Sequence, residues 1–181
     1  MQTTGQDVLD ITQKYRYTKI EYWLSENLYT LSWWILLVTS IVLFIIWIII
    51  LDKKRMFEIM TYGFFVGTVA IYADVFGVWF GLWHYPITIT SMHLPIEIHR
   101  LQMPIIYMMI YQYFKTWKTF IIAAAINAFV FAFILEPLLV WLKIYEPSHW
   151  KYIYSLIPYL IIAMFFKWLI IKFKQLDQNY Q

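Results

Sequence analysis

Two carboxylates interrupt strongly apolar runs, and each shares a helix face with small residues: Asp74 with Gly63, Gly67, Ala70, Gly77 and Gly81, and Glu136 with Ala125, Ala128 and Ala132. At ~100° per residue each set forms one narrow stripe. In lipid, such stripes are where helix backbones approach one another. Both acids are therefore expected to face protein, because a charge at mid-bilayer costs at least ~2.5 kcal/mol unless it is paired or hydrated. A carboxyl shielded from water tends to keep its proton and can hand it to an alkene or epoxide inside an apolar pocket.

A third acid, Glu97, shares a helix face with Arg100, Pro104, Tyr107 and Tyr111, while His99 and Gln102 point away from that face. Arg100 is the natural counter-ion for a carboxylate. The spacing predicts a pocket bounded by Asp74, Glu97, Arg100 and Glu136, with Trp83, His84 and Tyr107 near its mouth. Aromatic faces at Trp79, Trp83 and Tyr107 would steady a cation, each by up to about 2 kcal/mol when dry. The catalytic candidates are Asp74, Glu97 and Glu136; the substrate-binding candidates are Trp79, Trp83, His84, Arg100 and Tyr107. The same acids could instead hydrogen-bond across helices or pair with Arg100 as an assembly lock.

The elements that must position these groups are membrane helices. Of 181 residues, 62% are apolar and 14% charged, and the mean hydropathy is +0.61, all far from a soluble average. Spans are expected at about 29–51, 56–82, 95–114, 119–141 and 152–172, each near the ~20 residues that cross a bilayer. The first holds no charge from Ile35 to Leu51 and ends in Asp52-Lys53-Lys54-Arg55. The third has a polar entry and is interrupted by Pro104, which predicts a kink. The fold class is thus an all-α five-helix transmembrane bundle over 29–174. It is preceded by a polar tail, 1–28, that reads as a possible interfacial helix, and followed by a short tail, 175–181. The first 28 residues lack a basic stretch followed by an apolar one, which argues against a cleaved signal peptide.

Lys53, Lys54, Arg55, Lys115, Lys118, Lys172 and Lys174 gather at one set of helix ends. Those ends are expected to be cytoplasmic, with the N terminus outside; Lys14, Arg16 and Lys19 count against this assignment. Asp74 and Glu136 then lie roughly 26 Å along their helices, in the outer half. His84, His93, His99 and His149 also fall on or near the outer side, but none is paired at the i, i+4 spacing of a helical zinc motif, so no metal is expected. Glu58 reads as a solvated residue able to pair with Lys54. Without cysteine there are no disulfides, thiolate sites or thiol catalysis. A formal charge of +3 spread over short loops leaves no nucleic-acid footprint.

The ordered set Gly81-Leu82-Trp83-His84-Tyr85-Pro86, Leu94-Pro95-Ile96-Glu97, Tyr111 to Lys118, and Glu136-Pro137 followed by Trp150-Lys151 resembles a family of small, uncharacterised five-span membrane proteins of spore-forming Gram-positive bacteria. The likeness runs from about 52 to 172. It implies a multi-pass protein of the bacterial cell membrane and carries no activity of its own. More locally, Leu94-Pro95-Ile96-Glu97 is similar to the Leu-Pro-x-Glu signature of membrane lycopene and other terpene cyclases, in which a second acid follows the first; here Ile98 stands in that place. This resemblance implies a catalytic role for Glu97 alone.

Together these features suggest acid catalysis on a membrane-soluble isoprenoid or other lipid. The alternatives are a substrate-binding or transport subunit, although no inverted repeat marks a self-sufficient transporter, and a non-catalytic assembly protein with a structural carboxylate network. The expected partners are membrane lipids and an apolar small-molecule ligand. No cofactor is implied.

Overall fold

In the computed structural model of the chain, residues 3–92 and 98–179 are described, leaving out the side chains of His99 and of residues 178–179. Glu97 and His93 therefore lie outside the described residues. Seven α-helices follow in order: α1 (Gly5–Tyr22), α2 (Leu31–Ile50), α3 (Met56–Trp79), α4 (Met103–Tyr113), α5 (Trp117–Val130), α6 (Glu136–Trp141) and α7 (Tyr152–Asn179). Five-residue π turns at Trp23–Asn27, Ile98–Gln102 and Phe131–Leu135 lead out of α1, into α4, and from α5 to α6. Two short strands, β1 (Trp83–His84) and β2 (Glu146–Pro147), pair antiparallel.

Among the described residues four helical stretches are long and apolar enough to cross a membrane: Leu31–Ile50, Lys53–Trp79, Trp117–Trp141 and Tyr152–Asp177. The protein is all-α in its core and built to be embedded in a membrane. The expected tail at 175–181 is helical as far as Asn179, because α7 continues past Lys174. α1 is opened by a capping box, in which Asp7 N–H meets the Thr4 hydroxyl and Thr4 N–H meets the Asp7 carboxylate. None of its residues is buried.

α4 lies at the centre of the bundle. Met103, Pro104, Ile105, Tyr107, Met108, Tyr111 and Gln112 are all buried, packed with Ile59, Tyr62 and Val66 of α3, Phe120 and Ala124 of α5, and Ala163, Phe166 and Ile170 of α7. Polar side chains serve the helix ends that this packing hides. The Gln112 amide donates to the Ile50 carbonyl (2.8 Å) and accepts from Asp52 N–H (2.9 Å), closing the α2–α3 turn. Lys167 Nζ of α7 donates to the carbonyls of Phe114 (2.8 Å) and Lys115 (3.0 Å) and sits 4.0 Å from the Phe120 ring centroid. A cation at a helix C terminus meets both the unpaired carbonyls and the negative end of the dipole.

At the opposite end, where α2 and α7 begin and α3 and α6 finish, the two loops form a cap. β1 pairs with β2, and the Leu82 carbonyl accepts from the N–H groups of Ser148 and His149. Trp23, Asn27 and Trp33 donate to the carbonyls of Thr88, Pro86 and Ile89. A second apolar cluster, Trp33, Leu36, Ile87, Leu142 and Ile144, fills the space beneath.

The expected small-residue stripes are partly re-drawn. Gly63, Gly67, Ala70 and Gly77 are buried with Asp74 on α3, but Gly81 is exposed and takes φ +65° in the turn that leaves the helix. On α5 and the π turn that follows it the buried set is Ala124, Ala128 and Ala132, whereas Ala125 is exposed. The π turn at Phe131–Leu135 inserts one extra residue between α5 and Glu136. Counting back from Glu136 with the α period therefore lands one residue late.

Candidate functional site

Asp74 and Glu136 line one cavity of about 160 Å³ together with Trp83, Tyr85, Tyr145, Trp150 and Tyr159. Apolar side chains, among them Ala70, Ile98, Met103, Leu139 and Ile162, complete the wall. A dry cavity of about 150 Å³ is enough to hold benzene, so there is room for a ring-sized or branched unsaturated group. The exposed residues on its rim are Ala73 of α3 and Pro158 of α7. The opening thus lies between these two helices, beside the exposed apolar side chains Phe76, Ile157 and Ile161.

Each carboxylate has its own environment. Asp74 Oδ1 accepts from the Trp83 indole N–H (3.0 Å) and the Tyr85 hydroxyl (2.6 Å). α3 thereby holds the outgoing loop by two aromatic side chains. The Trp83 ring lies where a Cβ on Gly77 would stand, so the glycine is what lets the indole reach Asp74. Burial and the adjacent Asp74 carboxylate push the Tyr85 hydroxyl well above its ordinary range, keeping it a donor. Burial pushes the Tyr145 hydroxyl up as well.

Glu136 opens α6 just after the π turn and is 7% exposed. Its Oε1 accepts from the Tyr159 hydroxyl (2.9 Å). Its Oε2 meets no donor in good hydrogen-bonding geometry among the described residues, although the Ser155 hydroxyl, whose own proton is free, lies near enough to act on the carboxyl group. A buried acceptor left unsatisfied costs about 1–3 kcal/mol, so this oxygen is the most conspicuous unmet demand on the cavity wall. Ser155 shares that wall and accepts the Trp150 indole N–H (2.8 Å).

The other sequence candidates are placed elsewhere. Trp79 is 81% exposed on the outer face of α3 and does not line the cavity. Arg100 is exposed and lines a different groove, with Trp47, Gly63, Gly67, Pro104 and Met108, so it is not the counter-ion of Asp74 or Glu136. Tyr107 is fully buried beside the cavity, donating to the Tyr159 carbonyl (2.9 Å). His84 is exposed in the cap and pairs with Glu146 (3.0 Å). Glu58 is part-buried and its partners are Arg55, Lys174 and the Tyr111 hydroxyl rather than the expected Lys54.

Sequence reasoning missed Tyr85, Tyr145, Trp150, Ser155 and Tyr159. Of these, only Tyr159 carried a usable signal, a tyrosine next to Pro158 within an apolar run. Among the described residues no group of three or more His, Cys, Asp or Glu side chains could hold a metal ion. Comparison of the chain with protein-family models, with characterised proteins and with solved structures returned no match.

Proposed function

We propose that this is a multi-pass protein of five spans whose cavity takes the unsaturated end of a membrane-soluble isoprenoid and exchanges a proton with it through Glu136. The observation that carries this reading is the buried Glu136 carboxyl, one of whose oxygens meets no well-placed donor among the described residues, on the wall of an aromatic cavity that meets the surface at Ala73 and Pro158. The route between α3 and α7 suits a substrate arriving sideways from lipid.

In its acid form Glu136 gives the Oε2 proton to an alkene carbon. The π pair becomes the new C–H bond, the carboxylate is left behind, and the carbocation lies among Trp83, Tyr145 and Tyr159. Return of a neighbouring C–H proton to Glu136 closes the cycle with no net redox change. Asp74 positions the wall by holding Trp83 and Tyr85. Glu97, outside the described residues, keeps the role that its Leu-Pro-x-Glu setting implies.

The test is native mass spectrometry with lipid extraction on gently purified wild type, Glu136→Gln and Ala73→Phe. An isoprenoid retained by wild type, reduced at least ~tenfold in Ala73→Phe and held unconverted by Glu136→Gln, is the expected result. A water-soluble occupant would move the assignment to a binding or transport subunit. No occupant, with Glu136→Gln only less stable, would make the acids an assembly lock.

A further inference from the structure

A cavity of about 310 Å³ lies at the end of the bundle away from the cap, where α3 begins and α4 finishes. It shares no wall residue with the cavity of Asp74 and Glu136. Four cations line it among the described residues: Arg55 beside the start of α3, Lys115 in the link from α4 to α5, and Lys167 and Lys174 of α7. A single carboxylate, Glu58, faces them.

Tyr111 of α4 ties this group together. Its ring centroid is 5.6 Å from the Arg55 guanidinium carbon and 5.9 Å from Lys167 Nζ, and its hydroxyl donates to Glu58 (2.6 Å). Glu58 also accepts from Arg55 (3.1 Å) and Lys174 (2.9 Å), so both of its oxygens are taken. Lys167, only 2% exposed, spends its protons on the carbonyls of Phe114, Lys115 and Thr116. Those neutral acceptors leave its charge uncancelled. The Lys115 ammonium makes no hydrogen bond or ion pair among the described residues. Arg55, with five N–H groups, gives three of them to Glu58 and the Gln112 carbonyl and keeps the others.

Positive charges gathered in one hollow repel one another, and an anion among them offsets that repulsion. The level of the hollow suits such a guest. Glu58 lies ~31 Å of helix from Trp79 at 1.5 Å per residue, about the ~30 Å thickness of the hydrocarbon core. Basic pockets between membrane helices at that border take anionic headgroups.

We propose that this cavity binds a phosphate monoester, the group shared by the headgroup of phosphatidic acid and by small soluble phosphates. Arg55, Lys115 and Lys174 donate to its oxygens, and the charge of Lys167 adds to the field that holds it. A monoester carries about −1.5 to −2 at neutral pH, which answers the surplus of cations better than the single charge of a diester.

The test follows the thermal unfolding midpoint of the full chain in a neutral detergent at fixed ionic strength. The probes are dioctanoyl phosphatidic acid, dioctanoyl phosphatidylglycerol and inorganic phosphate. A saturable rise with phosphatidic acid, inorganic phosphate or both is expected, with phosphatidylglycerol at least ~tenfold weaker. A rise with phosphatidic acid alone assigns a lipid headgroup, and a rise with inorganic phosphate assigns the phosphate group itself. Lys115→Gln should weaken the apparent affinity at least ~tenfold, whereas Lys115→Arg and Lys118→Gln should stay within ~twofold of wild type; Lys118 is on the same rim but outside the cavity. No rise with either phosphate, an equal rise with phosphatidylglycerol, or equal losses in Lys115→Gln and Lys118→Gln overturns the proposal. Should Lys115→Gln not fold, Lys174→Gln against the same control decides it.

Discussion

Gly77 shows how closely the cavity wall is fitted, since the Trp83 indole occupies the place of its missing side chain. Gly77→Ala would force that ring off α3 and break its bond to Asp74. The expected loss is about 1–3 kcal/mol of stability, the usual cost of overpacking a filled core, with a shift in tryptophan emission. Gly5→Ala, which meets open space, is the control, and thermal unfolding in detergent measures both. Asp74 and Glu136 were legible in the sequence because a charge inside an apolar run has few explanations. Tyr85, Tyr145 and Trp150 were not, because loops have no period and a ring in a loop looks like any other interfacial aromatic.

Helices here are bent to their task by π turns and by borrowed side chains. The turn at Ile98–Gln102 breaks the α period between Arg100 and Tyr107, and the turn at Phe131–Leu135 does the same between Ala128 and Glu136. A face drawn with an unbroken period therefore joined Arg100 to the carboxylates and put Ala125 on the face of Glu136, although the small-residue repeat Ala124-x-x-x-Ala128-x-x-x-Ala132 read by itself marks the seam that is buried. Four of the five expected spans were legible from hydropathy, whereas the region of the third holds only the eleven-residue α4 among the described residues, and π turns leave no pattern in residue type. Gln112 ties three elements through one amide, bonding Ile50 and Asp52 across the α2–α3 turn. Gln112→Ala removes both bonds and leaves a hidden carbonyl and N–H unpaired. A drop of about 1–3 kcal/mol is expected, read as a lower unfolding midpoint, while Gln112→Glu restores only the acceptor half.

As a whole the molecule is an up-and-down bundle with a loop-built cap at one end and a basic rim at the other. Lys53, Lys54, Arg55, Lys115, Lys118, Lys172 and Lys174 mark that rim, and the positive-inside rule predicts that it faces the cytoplasm. The chain has no cysteine, so single introduced thiols report sidedness cleanly. In intact cells or right-side-out vesicles, His149→Cys should react with an impermeant maleimide and Lys118→Cys only after permeabilisation; the reverse pattern would invert the topology. Composition alone disclosed the membrane class. It was silent about the cap, whose pairing of residues 83–84 with 146–147 depends on contacts between loops far apart in sequence.

Lys167 gives the bundle an order of completion. The carbonyls of Phe114 and Lys115 leave the ribosome roughly fifty residues before the ammonium that satisfies them. Until the last helix arrives, the carbonyls that end the central helix have only water at the basic rim to bond. The final segment is thus expected to seal the bundle last, and a nascent chain without it leaves that helix end unsealed.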